Sequence, residues 1–192
     1  NKLNLCVDET KDIVICRNDK PIMAEYHHTC GGSTENSENL IHNSVTYLRM
    51  VLCEYCQNSP YWECYKDFSL EEIEEKLNTK FPQPKPDLDV EFTGFIDSIE
   101  RDNSGRVKSA NIGGEKFDGK EIMDLLELNS TRFGVSPILW RFSTRGKGYG
   151  LGYCQYGGNE MANRGFSFKE ILNYYYTGVD IKELSLPSIE KP

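Results

Sequence analysis

Long apolar runs are missing from this chain. None exceeds four residues, the longest being Ile13–Cys16 and Met50–Cys53, whereas a membrane-spanning helix needs about 20. Positive charge is also scarce, with 22 Lys and Arg against 30 Asp and Glu and a formal charge of −8. The chain therefore lacks the cation excess that holds a phosphate backbone, and nucleic acid is excluded as a partner. There is no internal repeat and no low-complexity segment. The opening Asn-Lys-Leu-Asn has neither an initiator Met nor an apolar leader, which predicts a processed or cut chain.

What is present suits a folded domain. In 192 residues, 38% are hydrophobic and 11% aromatic, which argues against intrinsic disorder. A chain of this size buries roughly 70% of its unfolded surface without needing cross-links. A neutral or amphipathic ligand fits the composition better than an anionic polymer.

Asp12–Cys16 and Pro21–His28 flank a turn at Asn18-Asp19 and read as a β-hairpin. Gly31–Asn43 is polar and reads as a structured loop, and Tyr47–Leu52 as a short strand. Ser69 and Glu72 form a capping box that predicts a helix to about Lys76–Thr79. Pro82, Pro84 and Pro86 then predict an extended linker. Val90–Glu100 and Arg106–Ile112 alternate apolar and polar residues around Asp102–Gly105, a second hairpin. Asp118–Leu126 reads as a capped helix and Pro137–Thr144 as a strand. Gly146–Gly158 holds six glycines in thirteen residues and reads as a loop that something approaches closely. Short helices follow at Asn159–Asn163 and Phe168–Tyr176, the second boxed by Ser167 and Glu170, with Gly165 and Gly178 as C-terminal caps. Irregular interleaving of strand and helix gives an α+β class, β-rich with several short helices. Residues 1–81 carry the first hairpin, the cysteine pairs and one helix. Residues 82–192 carry the second hairpin, the glycine loop and the C-terminal helices, packed with the first part as one unit.

Seven cysteines occupy positions 6, 16, 30, 53, 56, 64 and 154. Two pairs are sharply spaced: His27-His-Thr-Cys30 and Cys53-Glu-Tyr-Cys56. Two such turns aim four thiolate and imidazole donors at one point, the tetrahedral set that zinc prefers. The predicted site is a structural zinc on His27, Cys30, Cys53 and Cys56, with His28 or Cys64 as alternatives to His27. Plain packing, disulfides or a redox pair compete with this reading. A redox C-x-x-C sits at a strand-to-helix junction, whereas Cys56 leads into the turn residues Gln57–Pro60.

The glycine loop lacks the Gly-Lys-Ser/Thr ending of a nucleotide-binding loop and the strand–turn–helix setting of a dinucleotide site. Ten of eleven tyrosines fall in two stretches, 47–65 and 149–176. Aromatic faces with polar edges suit sugar rings, although such rings equally fill cores. Glu35 and Glu38, in the polar stretch Thr34–Glu38, read as hydrated surface carboxylates that stay ionised, and Glu25 lies beside His27. No spacing supports Cys154 as a nucleophile paired with a base.

Several stretches together resemble the stage II sporulation protein D family. They are Ala24-Glu-Tyr-His-His-Thr-Cys-Gly-Gly32 with Thr34–Glu38; Tyr47-Leu48, Cys53-x-x-Cys56, Ser59-Pro60 and Trp62; Ser104–Val107; Leu128 with Ser130-Thr131-x-Phe133; Gln155–Gly157; and Ile171-Leu-x-x-Tyr-Tyr with Gly178. The resemblance runs from about Val7 to Leu184. It implies a peptidoglycan lytic transglycosylase that cuts peptide-stripped glycan strands during engulfment of the forespore, with an amidase and a membrane scaffold as partners. It implies a location on the cell-wall side of the membrane, with anchoring by an upstream segment. The family's usual catalytic Glu precedes the matching part, and no position here corresponds to it. This chain would then supply groove walls, with Arg145, Tyr149, Gln155 and Tyr156 as candidate glycan contacts. Tyr149 stands where the family usually has His, Cys154 where it has Ser, and His28 where Ser is common. A non-catalytic cell-wall glycan-binding module with a structural zinc is the alternative.

Overall fold

The computed structural model describes residues 1–78, 96–136 and 140–184. The predicted proline linker lies outside them, as do the first residues of the strands predicted from Val90 and Pro137. The elements in chain order are α1 (Lys2–Glu9), β1 (Ile13–Arg17), β2 (Lys20–Pro21), β3 (Tyr26–His27), α2 (Glu38–Ile41), β4 (Cys64–Phe68), α3 (Leu70–Leu77), β5 (Ile96–Arg101), β6 (Val107–Ile112), β7 (Glu115–Asp118), α4 (Gly119–Leu125), β8 (Phe133–Ser136), β9 (Trp140–Thr144), β10 (Tyr153–Cys154), α5 (Gln155–Asn163), α6 (Phe168–Tyr175) and β11 (Asp180–Glu183). The class is α+β. No helix among the described residues is long and apolar enough to cross a membrane.

Four small sheets carry these strands, in the orders β11-β1-β2, β10-β3, β4-β9-β8 and β5-β6-β7. The first hairpin is shorter than its sequence pattern. Asn18 and Asp19 both take positive φ, 50° and 61°, the geometry of a tight two-residue hairpin turn. Pairing, however, stops at Cys16↔Pro21. Beyond it the chain leaves for a different sheet, where β3 pairs in parallel with β10. The other edge of β1 takes β11 from the far end of the chain, with Ile15 opposite Ile181. The strand predicted at Tyr47–Leu52 is reduced to one bridge between Leu52 and Ser33.

The main core lies between the β5-β6-β7 and β4-β9-β8 sheets and the helices α3 and α4. Phe68, Ile73, Ile112, Ile122, Leu126, Phe133 and Phe142 fill it. Both helices start with reciprocal capping boxes, Ser69 with Glu72 and Asp118 with Glu121, which satisfy backbone N–H groups that otherwise have no helical partner. A second cluster gathers Cys30, Cys53, Cys56, Cys154, Met161, Ile171 and Tyr175 around the α5–α6 pair. The glycine stretch joins the two. It contains β10 and the start of α5, and the close approach predicted for it comes from the chain itself. Gly150 has φ +89°, and a Cβ there would lie 2.5 Å from the Arg106 guanidinium; at Gly152, φ +64°, a Cβ would lie 2.1 Å from the Glu25 carbonyl.

Candidate metal centre and cavities

Four cysteine sulfurs converge. Those of Cys30, Cys53, Cys56 and Cys154 all lie within 4.8 Å of one another, and all four residues are buried. Cys30 follows β3, Cys53 and Cys56 form the C-x-x-C turn, and Cys154 ends β10 as the N-cap of α5. The Cys30 and Cys56 sulfurs are 3.3 Å apart, far beyond a disulfide bond of about 2.05 Å. Ligands at about 2.3 Å around a tetrahedral ion have sulfurs about 3.8 Å apart, so the spacing suits one ion. The donor set fits: four thiolates leave no open coordination position, which defines a structural centre. Hydrogen bonds among the sulfurs split their acidities. Cys56 is driven far below the usual thiol value by bonds from Cys154, then Cys30 and Cys53. Cys30 is driven far above it, by Cys154 first. Two polar groups back the cluster: the Tyr175 hydroxyl sits 3.2 Å from the Cys53 sulfur, and the Cys30 amide donates to the Cys154 sulfur at 3.3 Å.

The structure thus unites three of the four ligands expected from sequence and replaces His27 with Cys154. β3 ends at His27 and the chain bends at His28 before it reaches Cys30, which leaves His27 outside the sulfur cluster. Its Nδ1 bonds the Leu151 carbonyl at 2.9 Å, while Nε2 is buried without a partner among the described residues. Burial, above all, lowers its pKa to about 4, so the ring is neutral. His28 is held by the Thr29 hydroxyl at 2.8 Å and by an edge contact with Tyr61. Cys64 donates to the Pro60 carbonyl. Neither alternative joins the cluster. Parallel pairing of β3 with β10 puts Cys154 opposite His27, a long-range register that sequence spacing does not encode.

The candidate glycan contacts divide into two groups. Arg145 is exposed, with its guanidinium 5.7 Å from the Trp62 ring centre. Gln155 is exposed at the start of α5. Tyr156 is half-buried, and its hydroxyl donates to the Asn58 carbonyl at 2.8 Å. Arg145 and Tyr156 thus both contact the stretch that follows the C-x-x-C turn. Tyr149 lies elsewhere, between two cavities. One, of about 370 Å³, is lined by charged and polar groups including Glu35, Asp102, Arg106 and Lys120. The other, of about 420 Å³, is lined by Met23, Tyr26, Ile41 and Tyr47 among others. The Tyr149 hydroxyl donates to Asp124 at 2.9 Å, and Lys120 lies 5.0 Å from its ring centre.

Glu35 overturns its sequence reading. It is 3% exposed, and burial followed by the neighbouring Asp102 raises its pKa. Glu38 does behave as an exposed, ionised carboxylate, with a pKa lowered by Arg49. The difference arises because the loop 31–43 folds inward against the β5–β6 turn. There the Ser104 hydroxyl lies 2.9 Å from Glu35 Oε2, and Arg106 lies 3.6 Å from it. The Asp102, Ser104, Arg106 alternation about that turn was the available signal, but nothing local in the sequence joins it to Glu35.

No protein-family model matches the chain. The sequence is 30% identical over 190 residues to stage II sporulation protein D of Bacillus subtilis and 32% identical over 188 residues to that of Bacillus amyloliquefaciens. Each alignment covers 95% of this chain and 51% of the relative, so the chain spans about half the length of these proteins. An uncharacterized protein of Brachyspira hyodysenteriae is 28% identical over 91% of this chain and 47% of its own length. A mixed α+β chain matched almost end to end by sporulation proteins is itself of a sporulation class. It belongs to the stage II sporulation protein D family.

Proposed function

We propose that this chain forms the glycan groove of a peptidoglycan lytic transglycosylase that acts on peptide-stripped strands during engulfment, on the cell-wall side of the membrane. The observation that carries the reading is the similarity to two stage II sporulation D proteins along 95% of the chain. The amidase and membrane scaffold implied by the resemblance are the proposed partners. In this reading the acid that cleaves the glycosidic bond belongs to the part of the relatives that the chain does not match. The chain itself grips the strand. Tyr149, between a polar and an apolar cavity, offers an aromatic surface to the carbon face of a sugar, while neighbouring charged groups meet its hydroxyls. Arg145, Gln155 and Tyr156 extend the contact surface.

We assign zinc to the four-cysteine centre, on the all-thiolate donor set and its burial. When bound, the ion supplies structural cross-linking between the β3 loop, the C-x-x-C turn and α5. A non-catalytic glycan-binding module is the second reading, and Tyr149, where the resemblance implies His, weighs against an acid–base role for the glycine loop. The test is incubation of denuded glycan with the 192-residue chain, then chromatography for 1,6-anhydro-muramic ends. The proposal expects retained strands and no such ends, with ends appearing when the full-length protein is used. Binding without cleavage by the full-length protein selects the module. No retention at all refutes both.

A further inference from the structure

The polar cavity beside Tyr149 holds an arrangement that the groove reading leaves unused. The Ser104 hydroxyl stands 2.6 Å from Asp102 Oδ1 and 2.9 Å from Glu35 Oε2. A hydroxyl has one proton, so it donates to only one of two carboxylates. The other contact needs a proton on the carboxyl. The shorter distance, to Asp102, has the length of an O–H bond to an ionised acceptor. Asp102 Oδ1 also accepts from the backbone N–H groups of Ser104 at 2.8 Å and Arg106 at 3.0 Å, which further favours the ion there. Glu35 is then the protonated member, donating from Oε2 to the Ser104 oxygen.

Arg106 supplies a second, independent mark of a site. It is 2% exposed and lines the cavity. Its Nη atoms are spent on the Ser130 and Thr131 hydroxyls and on the Cys30 and Ser33 carbonyls. Its Nε, without a hydrogen-bond partner among the described residues, is turned toward Glu35 Oε2 at 3.6 Å. The Arg106 guanidinium is within ion-pair range of Glu35 Oε2 without hydrogen-bonding it. The remaining charges at the rim are largely paired among themselves: Glu38 with Arg49, Glu100 with Lys116 and Asp124 with Lys120.

We propose that Glu35 and Asp102 share one proton through Ser104 and make this cavity a sugar-binding subsite, in which a neutral acid and an ionised carboxylate lie side by side. The Glu35 and Ser104 protons are both spent within this network, so it presents a hydroxyl-rich ring with the ionised Asp102 carboxylate as acceptor in a partly desolvated setting, where each hydrogen bond discriminates strongly. The ligand class rests on the glycan reading above; the shared proton does not. The acidities agree in direction: Glu35 is raised by burial, and Asp102 is lowered by the bonds from Glu35 and Ser104, which outweigh its burial.

The test is carbon-detected NMR titration of the side-chain carboxyls in the labelled 192-residue chain, with the Glu35 signal assigned by its loss in Glu35→Gln. The expected result is a Glu35 midpoint above 4.5 and an Asp102 midpoint below 3.8, their ordinary values. Glu35→Gln, which imitates the neutral acid, should fold and melt as the wild type does at a pH below the Glu35 midpoint. With a hexamer of N-acetylglucosamine as probe, both carboxyl signals should move, and Asp102→Asn should weaken binding about tenfold, the loss of one charge-assisted bond. A Glu35 midpoint at or below 4.5, an unfolded Glu35→Gln, or a bound probe that leaves both signals still would overturn the proposal. If Glu35 titrates high but the wild type binds neither probe nor denuded glycan, the sugar assignment falls together with the groove reading, while the proton-sharing half stands confirmed.

Discussion

Replacing Cys154 with Ser separates the metal centre that the structure builds from the one that sequence spacing suggests. The Cys154 sulfur accepts from the amides of Cys30 and Gly157 at 3.3 and 3.4 Å. A serine oxygen keeps that capping role at the start of α5, so the substitution chiefly removes a thiolate. Structural zinc contributes roughly 10–16 kcal/mol in small thiolate sites. A hundredfold loss of affinity under saturating metal removes about 2.7 kcal/mol of stability, equivalent to about 5–10 °C in a protein of this size. The assay is elemental analysis with thermal melting of wild type, Cys154→Ser, His27→Gln and Cys6→Ser. The wild type should carry about one zinc per chain when purified without added metal. Cys154→Ser should lose most of it and melt lower, as should Cys53→Ser. Cys6 is exposed on α1, and its replacement should change neither quantity. Full metal in Cys154→Ser with loss in His27→Gln would refute the four-cysteine assignment.

His27 gives a pH signature. Its folded value of about 4 lies below the ordinary 6.5, so the unfolded chain binds the extra proton between them. Stability present above pH 6.5 therefore falls as pH drops toward 4, by roughly 3 kcal/mol for a shift of this size. Chemical denaturation at pH 7 and pH 4.5 should show a smaller decline in His27→Gln than in wild type, and equal declines would count against a neutral buried ring. Gly152→Ala drives a Cβ to within 2.1 Å of the Glu25 carbonyl, whereas Gly165→Ala, also at positive φ, meets nothing within 4 Å. The first should cost several kcal/mol and the second about 1 kcal/mol. Similar melting shifts for the pair would contradict the packing described for the glycine stretch.

Local signals in the sequence were accurate where local physics decides. The Ser69/Glu72 and Ser167/Glu170 boxes stand at the starts of α3 and α6 as read, because both partners of a capping box lie within four residues. The β5–β6 turn at Asp102–Gly105 was equally legible. Three of the four clustered cysteines were visible through their spacing. The fourth, Cys154, is 98 residues beyond Cys56 and arrives through strand pairing, which no short window contains. The same limit explains β11 against β1. It also explains Glu35, whose polar neighbours suggested solvent but whose partners Ser104 and Arg106 come from a distant turn. Helix α1 was missed because its apolar residues are not buried: Leu3, Leu5 and Val7 remain 57–72% exposed, leaving no clear inward stripe to read.

The glycan groove is tested most directly by sedimenting the chain with peptide-stripped glycan strands, comparing wild type with Tyr149→Ala and Tyr156→Ala. The account predicts that the wild type is carried down, that both variants are carried down less, and that no 1,6-anhydro ends form. A wild type left in the supernatant would contradict the groove, and 1,6-anhydro ends abolished by Glu35→Gln would move the cleaving acid into this chain.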